Sequence, residues 1–138
     1  MEFYLKVQTA IQKAIIYDAV TDGALENHTL LIENGKIVYV GPHDQVPEYE
    51  AVEVIDGEGL FVLPGFIDLH VHGLVNEVSL YSFLQNGVTS IRDLASDVFD
   101  ALAWRARERT GLIASPRIFF AGPILTCHQD YPENVWGL

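Results

Sequence analysis

Two histidines one residue apart end an apolar segment near the middle of the chain, which reads LPGFIDLHVHG over Leu63–Gly73. The run after the Pro-Gly turn predicts a strand over Phe66–His72. Because side chains alternate along a strand, Asp68, His70 and His72 are expected on one face, with the histidine Cα atoms about 6–7 Å apart. Neutral imidazoles at that spacing can converge on one zinc or iron ion, and the Asp68 carboxylate could hold a ring N–H. Taken alone, such a pair is more often incidental than a metal site, because short motifs have high false-positive rates.

The position of this strand favours a site over an incidental pair. Its other face carries Ile67, Leu69 and Val71, which are expected to pack beneath helices. The strand opens an alternation of strands and helices, so its histidines should stand at the carboxyl edge of a parallel sheet. Parallel α/β folds place their catalytic and binding sites at that edge.

Strands and helices alternate after this segment, which predicts right-handed βαβ units and a parallel sheet. Val98, Leu102 and Ala106 are expected to line the inner side of the second helix. Arg92 and Asp93 end the middle strand, where an ordinary ion pair is expected, although they could also brace the site. The predicted elements are a helix over Asn76–Asn86, a strand over Val88–Leu94, a helix capped by Ser96 and closed by Gly111, and a strand over Arg117–Ala121.

The first third of the chain reads as short strands with turn chemistry between them. The Asn34-Gly35 pair between two apolar runs predicts a hairpin, because both residues tolerate positive φ. We therefore expect a β layer over 1–63 and the start of an α/β domain over 64–138. The predicted strands cover Phe3–Val7, Ala14–Tyr17, Leu30–Ile32, Lys36–Val40, Ala51–Ile55 and Leu60–Leu63.

The composition argues against nucleic-acid and membrane partners. The 138 residues include 19 acidic and 8 basic side chains, which give a formal charge of -11. An anionic nucleic acid or membrane surface would repel a protein of this net charge. Cys127 is the single cysteine of the sequence, so no intrachain disulfide can form. With no signal-peptide pattern at the start and no apolar run long enough for a bilayer, we expect a cytoplasmic protein.

The passage GLFVLPGFIDLHVHG resembles the metal-dependent hydrolases of the amidohydrolase superfamily, whose first barrel strand carries an H-x-H metal motif. Upstream, LLIENGKIVYVGP and VEVIDGEGLFVLPG are similar to that family's amino-terminal β-sandwich half. Downstream, GVTSIRDL and SPRIFFAGPILT are similar to its second and third barrel strands, most like the imidazolonepropionase and prolidase-type branch. The resemblance implies half of a β-sandwich followed by the first three β/α units of a TIM-type barrel, an incomplete barrel.

The resemblance also implies a chemistry. His70 and His72 would be ligands of a divalent metal, zinc before iron, with one or two ions in the site. The metal would activate water for hydrolysis of a C–N bond in an amide, a cyclic amide or a dipeptide. His128 follows the third strand, where the prolidase-type branch often has a Gly-Gly-His element. This sequence has Thr126-Cys127-His128-Gln129 instead, so His128 is either a residue that contacts substrate or a plain loop histidine.

The rest of the catalytic apparatus is expected beyond residue 138. Family members add ligands and a proton-shuttling aspartate from later strands, and a full barrel needs about 250 residues. We therefore do not expect this chain to turn over a small-molecule substrate alone. Its open sheet edge should pair with the missing barrel portion or with a second copy in a homo-oligomer. The alternative is a non-catalytic metal-binding or assembly module that associates through the same edge.

Overall fold

The computed structural model describes residues 4–72 and 76–124 of the chain. Residue contacts divide the chain at the Pro64–Gly65 peptide into two compact units. Over these described residues, the first unit is a β structure, and the second combines three strands with two helices. Among the described residues, no helix is long and apolar enough to cross a membrane.

The first unit is a mixed sheet whose strands run in the order β3-β2-β1-β4, with β5 also paired to β1. Strand β2 is antiparallel to both of its neighbours, β1 and β3, whereas β4 and β5 run parallel to β1. Its apolar core includes the adjacent Leu30 and Leu31, whose side chains point to opposite faces of β2. The strands are β1 (Leu5–Ile16), β2 (Leu25–Glu33), β3 (Lys36–Pro42), β4 (Tyr49–Asp56) and β5 (Phe61–Val62), and a 3-10 turn spans His43–Gln45.

Strand β1 corrects the sequence prediction, which placed two separate strands in its range. The chain continues as one strand because its pairing becomes irregular at the place where the apolar pattern of the sequence is interrupted. Its pairing with β2 shifts register between Ile11 and Ala14, and Lys13 within that shift has φ 57°. A bulge of this kind lets both halves of β1 stay in the sheet.

The predicted hairpin at Asn34-Gly35 is confirmed. Glu33 pairs with Lys36 across it, and Asn34 and Gly35 have φ of 52° and 69°. Positive φ at both central residues is the geometry of a two-residue turn whose twist matches the flanking strands.

The second unit contains a parallel sheet in the order β6-β7-β8. The predicted parallel alternation of strands and helices is therefore confirmed over the three strands that the structure describes in this unit. The elements are β6 (Phe66–Val71), α1 (Glu77–Gln85), β7 (Val88–Asp93), α2 (Val98–Arg109) and β8 (Arg117–Phe120).

The core of the second unit lies between the sheet and the helices. Val71, Ile91 and Ile118 from the three strands pack with Leu80 of α1 and Ala101 of α2. The inner side predicted for α2 is wrong, since Leu102 is 42% exposed and Val98 is 38% exposed. The buried residue of α2 is instead the small Ala101, and the half-buried Trp104 packs beside it. The α2 sequence is rich in charged residues, so its weak apolar periodicity did not specify a face.

The start of α2 also differs from the prediction. Asp97, not Ser96, caps the helix, and its side chain accepts hydrogen bonds from the backbone N–H groups of Phe99 and Asp100. The N–H of Ser96 is itself taken by the carboxylate of Asp93 at 2.8 Å. Because this turn occupies Ser96, the helix begins one residue later than expected.

Candidate metal centre

His70 and His72 bring their ring nitrogens together. The Nε2 atoms lie 3.0 Å apart, and the ring centroids lie 4.9 Å apart with the planes at 63°. Both side chains are exposed, so the two nitrogens converge at a surface open to solvent. The convergence that the strand spacing suggested is therefore present.

The separation of these two nitrogens fits ligation of one ion. A zinc–imidazole bond is about 2.0–2.1 Å long, so two nitrogens on one zinc can be at most about 4.2 Å apart. The observed distance of 3.0 Å lies within that limit. In the absence of an ion, the same distance suits an N–H···N hydrogen bond between a donor ring and an acceptor ring. Imidazole nitrogen is also the donor type that zinc prefers in enzymes.

The pair stands at the carboxyl end of β6. Val71 is the last residue of that strand and pairs with Asp93, the last residue of β7. Just beyond this pair, the backbone N–H of Leu94 donates a hydrogen bond to the Val71 carbonyl at 3.1 Å. The edge of the sheet where parallel α/β folds place their sites is thus the edge that carries His72.

Strand β6 is not regular at the histidines, which the sequence did not predict. Asp68 pairs with Ile91 and Val71 with Asp93, so two residues of β6 face the single residue between Ile91 and Asp93 on β7. This is a β-bulge. Register partners share a face, so the bulge leaves Asp68 and Val71 on the same side of the sheet.

The predicted separation of an apolar face from a polar face in β6 is consequently wrong. Val71 is buried with the helices, but Ile67 and Leu69 are 64% and 58% exposed. The period of two fails because the pairing of β6 with β7 shifts register twice, between Phe66 and Ile67 and between Asp68 and Val71.

Both polar atoms of the extra peptide are held by side chains. Arg92 donates from Nε to the Leu69 carbonyl at 3.0 Å, and the Asp68 carboxylate accepts from the His70 backbone N–H at 3.1 Å. These two atoms belong to the same peptide group, which links Leu69 to His70. The expected contact of Asp68 with a ring N–H stays a prediction.

Asp93 does not pair with Arg92 in the part of the chain that the structure describes, and the ion pair expected there is wrong. Asp93 is fully buried, and its Oδ1 accepts from the backbone N–H groups of Ala95 and Ser96, each at 2.8 Å. The turn that it closes connects β7 to α2. The signal in the sequence is an aspartate two and three residues before the N–H groups that it caps, as in an Asx turn.

The two described histidines outside this pair have partners of their own. His28 bonds the Glu26 carbonyl at 2.7 Å, and His43 bonds the Thr29 hydroxyl at 2.8 Å, both within the first unit. His128 and Cys127 lie outside the described residues. Within 4–72 and 76–124, no group of three or more histidine, cysteine, aspartate or glutamate side chains could hold a metal ion.

Comparison with known proteins supplies the context for the pair. No protein-family model matches the chain. Adenine deaminase 2 of Shouchella clausii is 31% identical over 91 residues, 63% of this chain and 16% of that protein. Imidazolonepropionase of Acidiphilium cryptum is 30% identical over 95 residues, 69% of this chain and 21% of that protein. The structure of molinate hydrolase superposes with a TM-score of 0.72 at 26% identity, covering 86% of this chain and 30% of that one.

These neighbours share one superfamily. The curated relatives and the similar structures point to the amidohydrolase superfamily. The match lies in the amino-terminal portion of superfamily members, as the sequence resemblance implied. The chain spans about a fifth of the length of the curated relatives it matches. Its mixed sheets with two helices agree with the amino-terminal β-sandwich region of such proteins.

Proposed function

We propose that the chain supplies the first metal ligands of a hydrolase that cleaves carbon–nitrogen bonds with a metal-activated water. The observation that carries this proposal is the pair of Nε2 atoms, His70 and His72, 3.0 Å apart at the carboxyl end of β6. Relatives support it, because they are hydrolases that act on C–N bonds.

The metal we propose is a divalent ion, with zinc before iron, in a site of one or two ions. Superfamily members are typically metal-dependent. When bound, such an ion lowers the pKa of a water molecule and polarises a carbonyl group. The chain's own part is to present two neutral imidazoles to the ion, one from each histidine. A catalytic zinc usually has three protein ligands, so the remaining ligands and the proton shuttle would come from a longer polypeptide.

A barrel is the architecture that we propose for that longer polypeptide. Ile67 and Phe119 pair with Ser90 and Arg92 of β7, so they lie on the face opposite the buried Ile91. Ile67 is 64% exposed and Phe119 is 55% exposed. In a closed barrel this face becomes the interior, where further strands would cover the two side chains.

The substrate class is an amide, a cyclic amide or a dipeptide. The named relatives act on chemically diverse compounds, since they include adenine deaminase, imidazolonepropionase and dihydroorotase, and a prolidase is among the similar structures. Loops after later barrel strands set specificity in this fold, so the histidine pair of this chain is compatible with any of these substrate classes.

The second candidate is a module that binds metal or assembles without catalysis. The exposed Phe119 on β8, the last strand in the order β6-β7-β8, favours it, because an apolar strand at a sheet edge promotes pairing with another chain. The two candidate functions predict different results in a hydrolysis assay. The polypeptide that carries this chain either hydrolyses amides when loaded with zinc or forms a stable assembly without hydrolysis.

The metal claim is tested by titrating the chain with Zn²⁺ in a calorimeter. We expect saturable binding that is lost in His70→Ala and in His72→Ala. His28→Ala is the matched control, because His28 also bonds a neighbouring group but lies in the first unit. Equal zinc binding by all four proteins would remove the proposed site.

A further inference from the structure

We propose that Asp68 and Arg92 are positioning residues that clamp the peptide between Leu69 and His70 and thereby set the metal-binding geometry of the histidine pair. The inference rests on the proposed function and deepens it. The spacing along the strand brings the two histidines close together, and the irregular backbone at Leu69 and His70 then aims their imidazoles at one point.

The bulge creates the need for a clamp. Leu69 and His70 together face Arg92 alone, because the pairs on either side are Asp68 with Ile91 and Val71 with Asp93. A bulge leaves the extra residue without a partner in the ladder. The carbonyl and the N–H of the peptide between Leu69 and His70 therefore need partners from outside the ladder, or from water.

Two side chains supply those partners from opposite ends of the peptide. The Arg92 guanidinium donates to the carbonyl at 3.0 Å, and the Asp68 carboxylate accepts from the N–H at 3.1 Å. A charged group takes part in each bond, which makes both stronger than neutral hydrogen bonds. Arg92 is also the residue that the bulge faces, so the donor comes from the point on β7 where the ladder is interrupted.

The clamp bears on the metal ligands because His70 lies within the bulge and His72 lies beyond it. The orientation of one peptide plane therefore fixes both the Cα–Cβ direction of His70 and the path of the chain to His72. With the clamp in place the two Nε2 atoms are 3.0 Å apart. Without the clamp, the imidazoles would also sample orientations in which they cannot bind the same ion. The metal affinity would then be multiplied by the fraction of time that the pair spends in the orientation that binds.

The test compares zinc affinity among variants of the chain by calorimetry. Asp68→Ala and Arg92→Met should each weaken Zn²⁺ binding by about tenfold or more, the effect usual for groups that orient metal ligands. Asp68→Asn should stay within about twofold of the parent protein, because an amide oxygen still accepts from the His70 N–H. If Asp68→Asn binds zinc as weakly as Asp68→Ala, the backbone role of Asp68 is wrong and a carboxylate contact to a ring N–H replaces it.

A control separates positioning from stability. Asp97→Ala removes the cap of α2 in the same unit, so it should destabilise the fold while leaving zinc affinity unchanged. A loss of affinity in Asp97→Ala as large as that in Arg92→Met would show that general destabilisation causes the effect and would overturn the proposal.

A second measurement needs no metal and keeps the clamp testable if the parent chain binds no zinc, a result that would refute the proposed metal site alone. Amide hydrogen exchange of His70 should be about tenfold faster in Asp68→Ala than in Asp68→Asn, because only the latter retains an acceptor. Equal exchange rates in the two variants would refute the clamp whatever the zinc titration shows.

Discussion

At the scale of single residues, the molecule uses carboxylates to hold backbone N–H groups where the regular hydrogen bonding of a strand or helix is interrupted. Asp68, Asp93 and Asp97 do so in the second unit, and Asp18 does so after β1. Each accepts from an N–H that the regular ladder or helix cannot satisfy. Some of the acidic side chains of the chain therefore stabilise the local backbone structure, in addition to any effect on solubility.

Asp18 yields a prediction about pH. Hydrogen bonds from the backbone N–H of Thr21 and then of Val20 hold its pKa below the ordinary value of 3.8. An acid with a depressed pKa stabilises the folded state fully above its unfolded pKa and loses that contribution as the pH falls through the folded value. In a carboxyl-carbon NMR titration, we expect Asp18 to titrate below the same residue in a short peptide of this sequence. Equal midpoints in the chain and in the peptide would contradict the assignment of these bonds.

At the scale of elements, caps and turns fixed the boundaries more strictly than the apolar pattern did. The hairpin at Asn34-Gly35 and the helix start at Asn76 follow from local chemistry, and both are observed as predicted. The start of α2 was misplaced by one residue because Ser96 and Asp97 are both good caps, and the Asp93 turn decided between them.

The cap of α2 can be tested directly. Asp97→Ala removes the acceptor for two N–H groups and should lower the free energy of unfolding by about 1 kcal/mol. Asp97→Asn should be nearly neutral, since asparagine caps as well as aspartate. Urea denaturation monitored by circular dichroism measures both changes. A helix that loses no stability in Asp97→Ala would place its effective cap elsewhere.

At the scale of the whole molecule, the chain buries one face of the β6-β7-β8 sheet and leaves apolar groups exposed on the other. Ile67 and Phe119 lie on this second face. Exposed apolar groups beside an open sheet edge favour association with another polypeptide. For the whole protein we propose further barrel strands as that partner, and for the isolated chain a second copy.

Association through this face can be measured by analytical ultracentrifugation. The chain should self-associate at micromolar concentration, and Ile67→Lys with Phe119→Lys should shift the equilibrium towards the monomer. Val78→Lys is the matched control, because Val78 is 78% exposed but lies on α1. A decrease of association in the control as large as in the sheet variants would show a general effect of added charge.

The sequence by itself determined the order of the elements, the Asn34-Gly35 hairpin and the presence of a histidine pair at the carboxyl end of a strand. These features depend on residues close together in the chain, where turn chemistry and apolar periodicity act directly. Tertiary structure alone decided the continuity of β1, the inner face of α2 and the bulge at Leu69 and His70. The reason is that register is settled between strands. Arg92 donates to the Leu69 carbonyl from a neighbouring strand, so the residues next to the histidines in the sequence could not predict that contact.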